Sequence, residues 1–154
     1  MNPRAAAAGA TAVVALASPV VMHFEGEIRH GYRDPIGIVT ACVGHTKTAQ
    51  LGRAYTAAEC AELLRTDLAD HHAGLRACLK GNVPAHVEAA LLSFAFNVGV
   101  AATCRSTAVA KINAGDFAAG CAELSRWTMA GGRVLPGLVK RREAERALCE
   151  GRGA

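Results

Sequence analysis

Aromatic residues are scarce in this chain: four Phe, two Tyr and a single Trp among 154 residues. No arm dense in Lys or Arg accompanies them, and the formal net charge is only +4. Together these argue against a dedicated nucleic-acid binder, which needs stacking platforms and a basic stripe. The small positive excess suits mild attraction to anionic surfaces such as bacterial envelopes. Cys-x-x-Cys pairs are absent, as is any Cys/His spacing typical of zinc. His23, His30 and His45 share no i,i+4 spacing, and His71 and His72 point to adjacent helix faces, so no metal is expected. There is no internal repeat and no long linker. The chain therefore reads as one compact domain with at most a short appendage.

A long, strongly apolar run is lacking as well. Residues 5–22 carry no charge, yet eight of them are Ala, and Gly9, Thr11, Ser18 and Pro19 are among the rest. Only Val13, Val14, Leu16, Val20, Val21 and Met22 are strongly apolar, where a spanning helix needs ~20 predominantly apolar residues. Behind Arg4 and the amino terminus, the segment resembles an export signal. Three readings stand open: a weak anchor able to leave the bilayer, a signal cleaved after Ala15-Leu16-Ala17, or an ordinary helix of the fold.

Cysteine is plentiful by contrast: Cys42, Cys60, Cys78, Cys104, Cys121 and Cys149. An even, dispersed set fits an oxidising compartment and up to three disulfides. The plainer alternative is a set of buried thiols.

Local signals order the rest. Ser18-Pro19 suits a helix restart, with Ser as N-cap and Pro at the first helical position, running through Phe24 and Glu25. Asp34-Pro35-Ile36-Gly37 has the residues a type I turn prefers. It joins Tyr32–Asp34 to the β-branched arm Ile38–Val43 in a small hairpin. Thr56 and Glu59 form a capping box. Beyond it Cys60, Leu64, Leu68, His71, Leu75 and Leu79 recur at helical spacing, which predicts one long helix ending near Gly81. On such a helix Cys60 and Cys78 lie about 27 Å apart and cannot bond each other. The next segment starts at Pro84 and ends at Gly99, and from Ala89 to Val98 it is apolar nearly all round, the mark of a central buried helix. Helices are expected at Ser106–Asn113 and from Asp116 to Trp127. Gly131-Gly132 and Pro136-Gly137 bracket a loop, and a helix with a basic face closes the chain. The architecture is α+β: a small β-hairpin lobe joined by a long helix to a helical lobe, with a cleft between.

Within that cleft, Glu25, Asp34 and Thr40 either take plain structural places, at a helix end, at a turn before Pro and in a strand, or suit hydrolysis of a glycosidic bond. One carboxyl must be protonated, to give its proton to the leaving oxygen. The other must be ionised, to activate water or attack the sugar carbon. Glu25 follows Val20, Val21, Met22 and Phe24, apolar neighbours that would raise its pKa and favour the acid role. Asp34 sits at a more polar turn and suits the base, while Thr40 returns on the opposite arm to hold the water.

The order Glu25-Gly26, Tyr32-Arg33-Asp34, Gly37, Thr40 and Gly44-His45-Thr46 resembles the active-site signature of phage-type lysozymes, glycoside hydrolase family 24. Downstream, "FAFNVG" at 94–99 and "RWTMAGGRVLPGLVKRREAE" at 126–145 resemble the second-lobe signatures of lambdoid-phage endolysins in that family. The likeness covers residues 23–150 in order. It implies a lysozyme-like fold and a muramidase that cleaves the β-1,4 bond from N-acetylmuramic acid to N-acetylglucosamine in peptidoglycan, usually with inversion. Glu25 would be the acid, Asp34 would position or activate water, and Thr40 would complete the triad. No metal or organic cofactor is implied. Some members begin with a signal-anchor-release segment, and residues 1–22 would fill that part before a lysozyme domain at 23–154. The chain would then be exported, tethered to the inner membrane and freed into the periplasm, working as a monomer.

Candidate substrate-binding residues are Tyr32, His45, Trp127 and Arg141, each with a structural alternative. Tyr32 packs or lines the cleft, and His45 supports the hairpin through hydrogen bonds. Trp127 is core or a sugar platform. Arg141 or Arg142 lies on a solvated face or pairs with an acid under the cleft. One departure stands out: the position two after Thr40, often Gly in the wider family, is Cys42. It would be a disulfide partner, of Cys60 for instance, or a redox brake. No cysteine lies in 1–23 to capture it. The pairing Cys42–Cys60, Cys78–Cys104 and Cys121–Cys149 is one map compatible with the long helix. The rival functions are a wall-binding module that has lost catalysis, and a lytic transglycosylase, which needs one acid and no water-positioning Asp.

Overall fold

A computed structural model describes the backbone of residues 3–152 and the side chains of residues 9–152. The ends of segments 1–22 and 23–154 thus lie outside the described residues.

Helix α1 spans Pro3–Glu25 without a break, and Pro19 stands inside it. The expected restart at Ser18-Pro19 does not occur. Pro19 removes only its own N–H from the ladder, and Ser18 Oγ donates to the Val14 carbonyl at 2.7 Å within the same turn. Val13, Val14, Ala17 and Val21 are buried along one stripe, which holds both halves of the helix in line. Among the described residues no helix is long and apolar enough to cross a membrane.

A hairpin follows, β1 (Ile28–Arg33) with β2 (Val39–Cys42), antiparallel and with Tyr32 opposite Thr40. Its turn is the expected one: Gly37 N–H donates to the Asp34 carbonyl at 2.9 Å, and Asp34 N–H to Ile38 at 2.9 Å. Gly37, at φ +89°, supplies the left-handed residue that ends a three-residue loop. The pairing is irregular between Ile28 and Tyr32 because β1 also serves a second neighbour. Gly31 exchanges bonds with Gly52 and Arg53, and a Cβ on Gly31 would lie 1.8 Å from the Gln50 carbonyl oxygen. Only glycine fits there.

Helix α2 (Ala57–Arg76) opens with the capping box, Thr56 and Glu59 bonding reciprocally. It stops short of Gly81, because residues 77–81 turn toward the next lobe. Asn113 holds that turn, donating to the Cys78 carbonyl at 2.9 Å and accepting from Lys80 N–H at 2.8 Å. Helix α3 (Ala85–Val98) is the central helix, with Val87 through Ala95 all buried. Three short helices follow: α4 (Val100–Cys104), α5 (Thr107–Asn113) and α6 (Phe117–Glu123). Ser106 and Asp116 cap the last two through their side chains. The helix expected to reach Trp127 ends at Glu123 and continues as a 3-10 turn, Leu124–Arg126. The loop expected next contains a second hairpin, β3 (Met129–Ala130) with β4 (Arg133–Val134), turning on Gly131 and Gly132 at positive φ. Helix α7 (Pro136–Cys149) closes the fold.

Helices α1, α2 and α7 pack around α3, and Leu64, Leu68, Leu75, Leu91, Phe94, Ile112 and Leu124 form the centre of the core. Three disulfides brace this frame: Cys42–Cys60 ties the hairpin to α2, Cys78–Cys104 ties the end of α2 to α4, and Cys121–Cys149 ties α6 to α7. No described cysteine is free.

Candidate active site

Glu25 ends α1, so the packing of that helix decides where its carboxylate sits. Oε1 accepts a 2.6 Å hydrogen bond from Arg141 Nη1, and the Glu25 side chain is 29% exposed. The carboxyl thus lies against a buried guanidinium rather than in the purely apolar setting that its sequence neighbours suggest. Among the described residues its other oxygen, Oε2, has no hydrogen-bond partner.

Arg141 is held from behind. Its Nε donates to Glu145 Oε1 at 3.0 Å, and its Nη2 to the Ser93 carbonyl at 3.2 Å. Ser93 Oγ donates to the same Glu145 oxygen at 2.8 Å. Arg142, fully buried, donates to Asn97 at 2.8 Å and lies over the Phe94 ring. Its Nε is 2.8 Å from Glu145 Oε2, an ion pair poorly aligned for hydrogen bonding. Burial pushes the Glu145 carboxyl above its ordinary range, against the pull of Arg142, Ser93 and Arg141. Burial likewise draws Arg142 below its usual value.

Asp34 belongs to the hairpin. Its Oδ1 accepts from Ile36 N–H at 3.0 Å and Ile38 N–H at 2.8 Å, which fixes the carboxylate on its own turn. Thr40 lies further along the returning strand, 6% exposed, its hydroxyl donating to the Ile38 carbonyl at 3.2 Å. Both backbone groups of Ile38 therefore serve the candidate pair, one holding Asp34 and the other Thr40. Among the described residues no hydrogen bond joins Glu25 to Asp34 or Thr40; the acid comes from the helical frame and the other two from the hairpin.

The remaining candidates fall in different surroundings. Tyr32 is half-buried and opposite Thr40, its ring 6.1 Å from that of His30. His45 is 4% exposed. The Thr48 N–H points at its Nε2, so Nδ1 carries the proton and donates to Asp67 at 2.7 Å. Both ring nitrogens thus face the fold, locking the hairpin lobe to α2. Trp127, 37% exposed, meets the Phe94 ring edge-on at 5.2 Å. Cys42 is buried, bonded to Cys60 and at φ +57°, a left-handed conformation that Gly adopts more readily than any L-residue. Among the described residues no group of three His, Cys, Asp or Glu side chains could hold a metal.

Sequence reasoning missed Ser93, Asn97 and Glu145. The available signal was the spacing of Arg141, Arg142 and Glu145, three and four residues apart and so on one helix face. An apolar groove of about 300 Å³ also lies between α1 and α2, lined by Val14, Leu64 and His72 among others. Its lining holds no carboxylate, so it offers no acid for glycoside cleavage.

Comparison with known proteins agrees with this frame. The family profile "Phage lysozyme" matches residues 22–145. The chain is 44% identical over 119 residues to the "SAR-endolysin" of Enterobacteria phage P21, covering 77% of this chain and 72% of that one. It is 39% identical over 134 residues to the "SAR-endolysin" of Escherichia phage Mu, covering 87% and 78%. Among solved structures, the muramidase domain of SpmX from Asticaccaulis excentricus superposes with a TM-score of 0.79 at 28% identity, over 86% of this chain and 93% of that one. The chain belongs to the phage lysozyme family and is a glycoside hydrolase of the lysozyme type.

Proposed function

We propose that the chain hydrolyses the β-1,4 bond between N-acetylmuramic acid and N-acetylglucosamine, with Glu25 as the acid and Asp34 and Thr40 managing the water. The observation that carries this reading is the division of labour in Glu25: Arg141 fixes one oxygen, while the other is free to bring a proton to the leaving oxygen. Asp34 and Thr40 are each anchored to Ile38, which would present a carboxylate and a hydroxyl from one rigid hairpin. Tyr32 and Trp127, both partly exposed, are the side chains best disposed to meet sugar rings.

Residues 1–22 fit a releasable anchor, a reading supported by the names of the relatives and by the small side chains of α1. Tethered in the inner membrane, that segment would hold Glu25 away from Arg141. Released into the periplasm, it docks as α1 and brings the acid into place, and the monomer then degrades peptidoglycan and lyses the host. No metal or organic cofactor is needed for this chemistry.

The test is turbidity loss of purified peptidoglycan by the full chain beside Glu25→Gln and Asp34→Asn. Glu25→Gln should lower the rate by at least ~10²-fold while the protein stays folded. Equal lysis by wild type and Glu25→Gln would defeat the assignment. Binding without cleavage by all three proteins would leave a wall-binding module.

A further inference from the structure

Arg141 is buried, and its guanidinium fork has a fixed shape. Once two arms of that fork are bound, the direction of the third is set. Nε is bound by Glu145 and Nη2 by the Ser93 carbonyl, and the remaining arm, Nη1, is the one that meets Glu25. Glu145 is in turn fixed by Ser93 Oγ. The hydrogen-bonding groups that fix these two arms belong to α3 and α7; α1 brings Glu25 to the third arm and the Phe24 ring, 5.7 Å from the guanidinium carbon. The charges tell the same story. Arg141, Arg142 and Glu145 are buried on α7 with two positive charges and one carboxylate, and Glu25 from α1 supplies the second carboxylate.

We propose that Glu145 is a positioning residue: it holds Arg141 so that Nη1 presents a preset seat to Glu25. Glu145 is fully buried, so it acts through the side chains it holds: Arg141, which carries the bond to Glu25, and Arg142, whose Nη2 donates to Glu145 Oε1 at 3.3 Å. The groups facing it are Arg141 and Arg142 on its own helix and Ser93 on α3. Asn97 on α3 and Glu25 on α1 lie one residue further, bonded to the two arginines. This rests on the reading of Glu25 as the acid. It adds that the seat is built before α1 arrives, and that its loss slows turnover without weakening substrate binding.

The experiment compares full-length wild type, Glu145→Gln, Arg141→Lys and the double variant on soluble peptidoglycan chains, measuring kcat, KM and the pH–rate profile. Glu145→Gln should lower kcat by about tenfold or more, since small misplacements of a catalytic group are costly, and should leave KM within about twofold. The pH–rate profile should also shift, because the variant removes a carboxyl group from the charges gathered around Arg141. The double variant should be no worse than the worse single, as expected of residues acting through one unit. Unchanged kcat and pH profile with a lowered Tm would reduce Glu145 to a structural residue and overturn the proposal. Multiplying losses in the double variant would do the same. Ser93→Ala guards against a Glu145 variant that fails to fold. It removes one bond to Glu145 and should cost kcat about two- to threefold in a folded protein; no loss of kcat would contradict the proposal. Wild type that releases no reducing ends would instead remove the muramidase reading, and this inference with it.

Discussion

At the scale of single residues, the informative positions are those where one side chain answers two demands. Cys42 has a left-handed backbone, a conformation that costs an L-residue roughly 1–2 kcal/mol, yet it also forms the disulfide to Cys60. Comparing Cys42→Gly with Cys42→Ala isolates the backbone cost, since both lose the disulfide equally. The Gly variant should be the more stable by about 1 kcal/mol in urea unfolding; equal stabilities would show that the conformation is not strained. The departure at Cys42 was legible in the sequence, but the positive φ was not, because a strand pattern carries no sign of it. Arg141 is similar. Its sequence admits a solvated face or a buried partner, and only the packing of α1 against α3 and α7 decides for Glu25.

At the scale of elements, α1 is both a core helix and the carrier of the acid. Its buried stripe of Val13, Val14, Ala17 and Val21 should tolerate no charge. Val21→Asp should cost more than ~3 kcal/mol and depress lysis, because Glu25 lies one turn further along the same helix. Leu16→Asp, on the exposed face, should change stability by less than ~1 kcal/mol. Thermal melting and turbidity loss measured together would check both; similar effects of the two would show that α1 is not docked as described. Elements marked by capping chemistry were readable in advance: α2 from Thr56 and Glu59, α5 from Ser106 and α6 from Asp116. Elements settled by tertiary contact were not. Unbroken α1 depends on its buried stripe, the early end of α2 on Asn113, and the second hairpin on two adjacent glycines that a loop would also accept.

At the scale of the whole molecule, a hairpin carrying Asp34 and Thr40 is stapled to a helical frame whose buried charges hold Glu25. That frame should leave a mark on stability. The folded state raises the Glu145 carboxyl above the ordinary 4.5, so it binds that proton more tightly than the unfolded chain does. Its contribution is full below pH 4.5 and is lost as pH rises through the higher, folded-state value. Glu145→Gln should therefore remove a decline in stability above pH 4.5, read from urea midpoints across pH. An unaltered slope would place the decline elsewhere. In the sequence the hairpin turn was visible, because turn chemistry writes a short local pattern; Glu25, Asp34 and Thr40 stood out as candidates through the resemblance to the family signature, while their spacing alone left each a plain structural place. The support behind them was not visible, since Ser93 and Glu145 meet across two helices far apart in the chain. The most direct test of the whole account is the mass of the sugar ends released from peptidoglycan by wild type and by Glu25→Gln. Hydrated reducing ends from wild type, and almost none from Glu25→Gln, are the predicted result. Anhydro ends, or equal release by both proteins, would contradict a hydrolase that uses Glu25 as its acid.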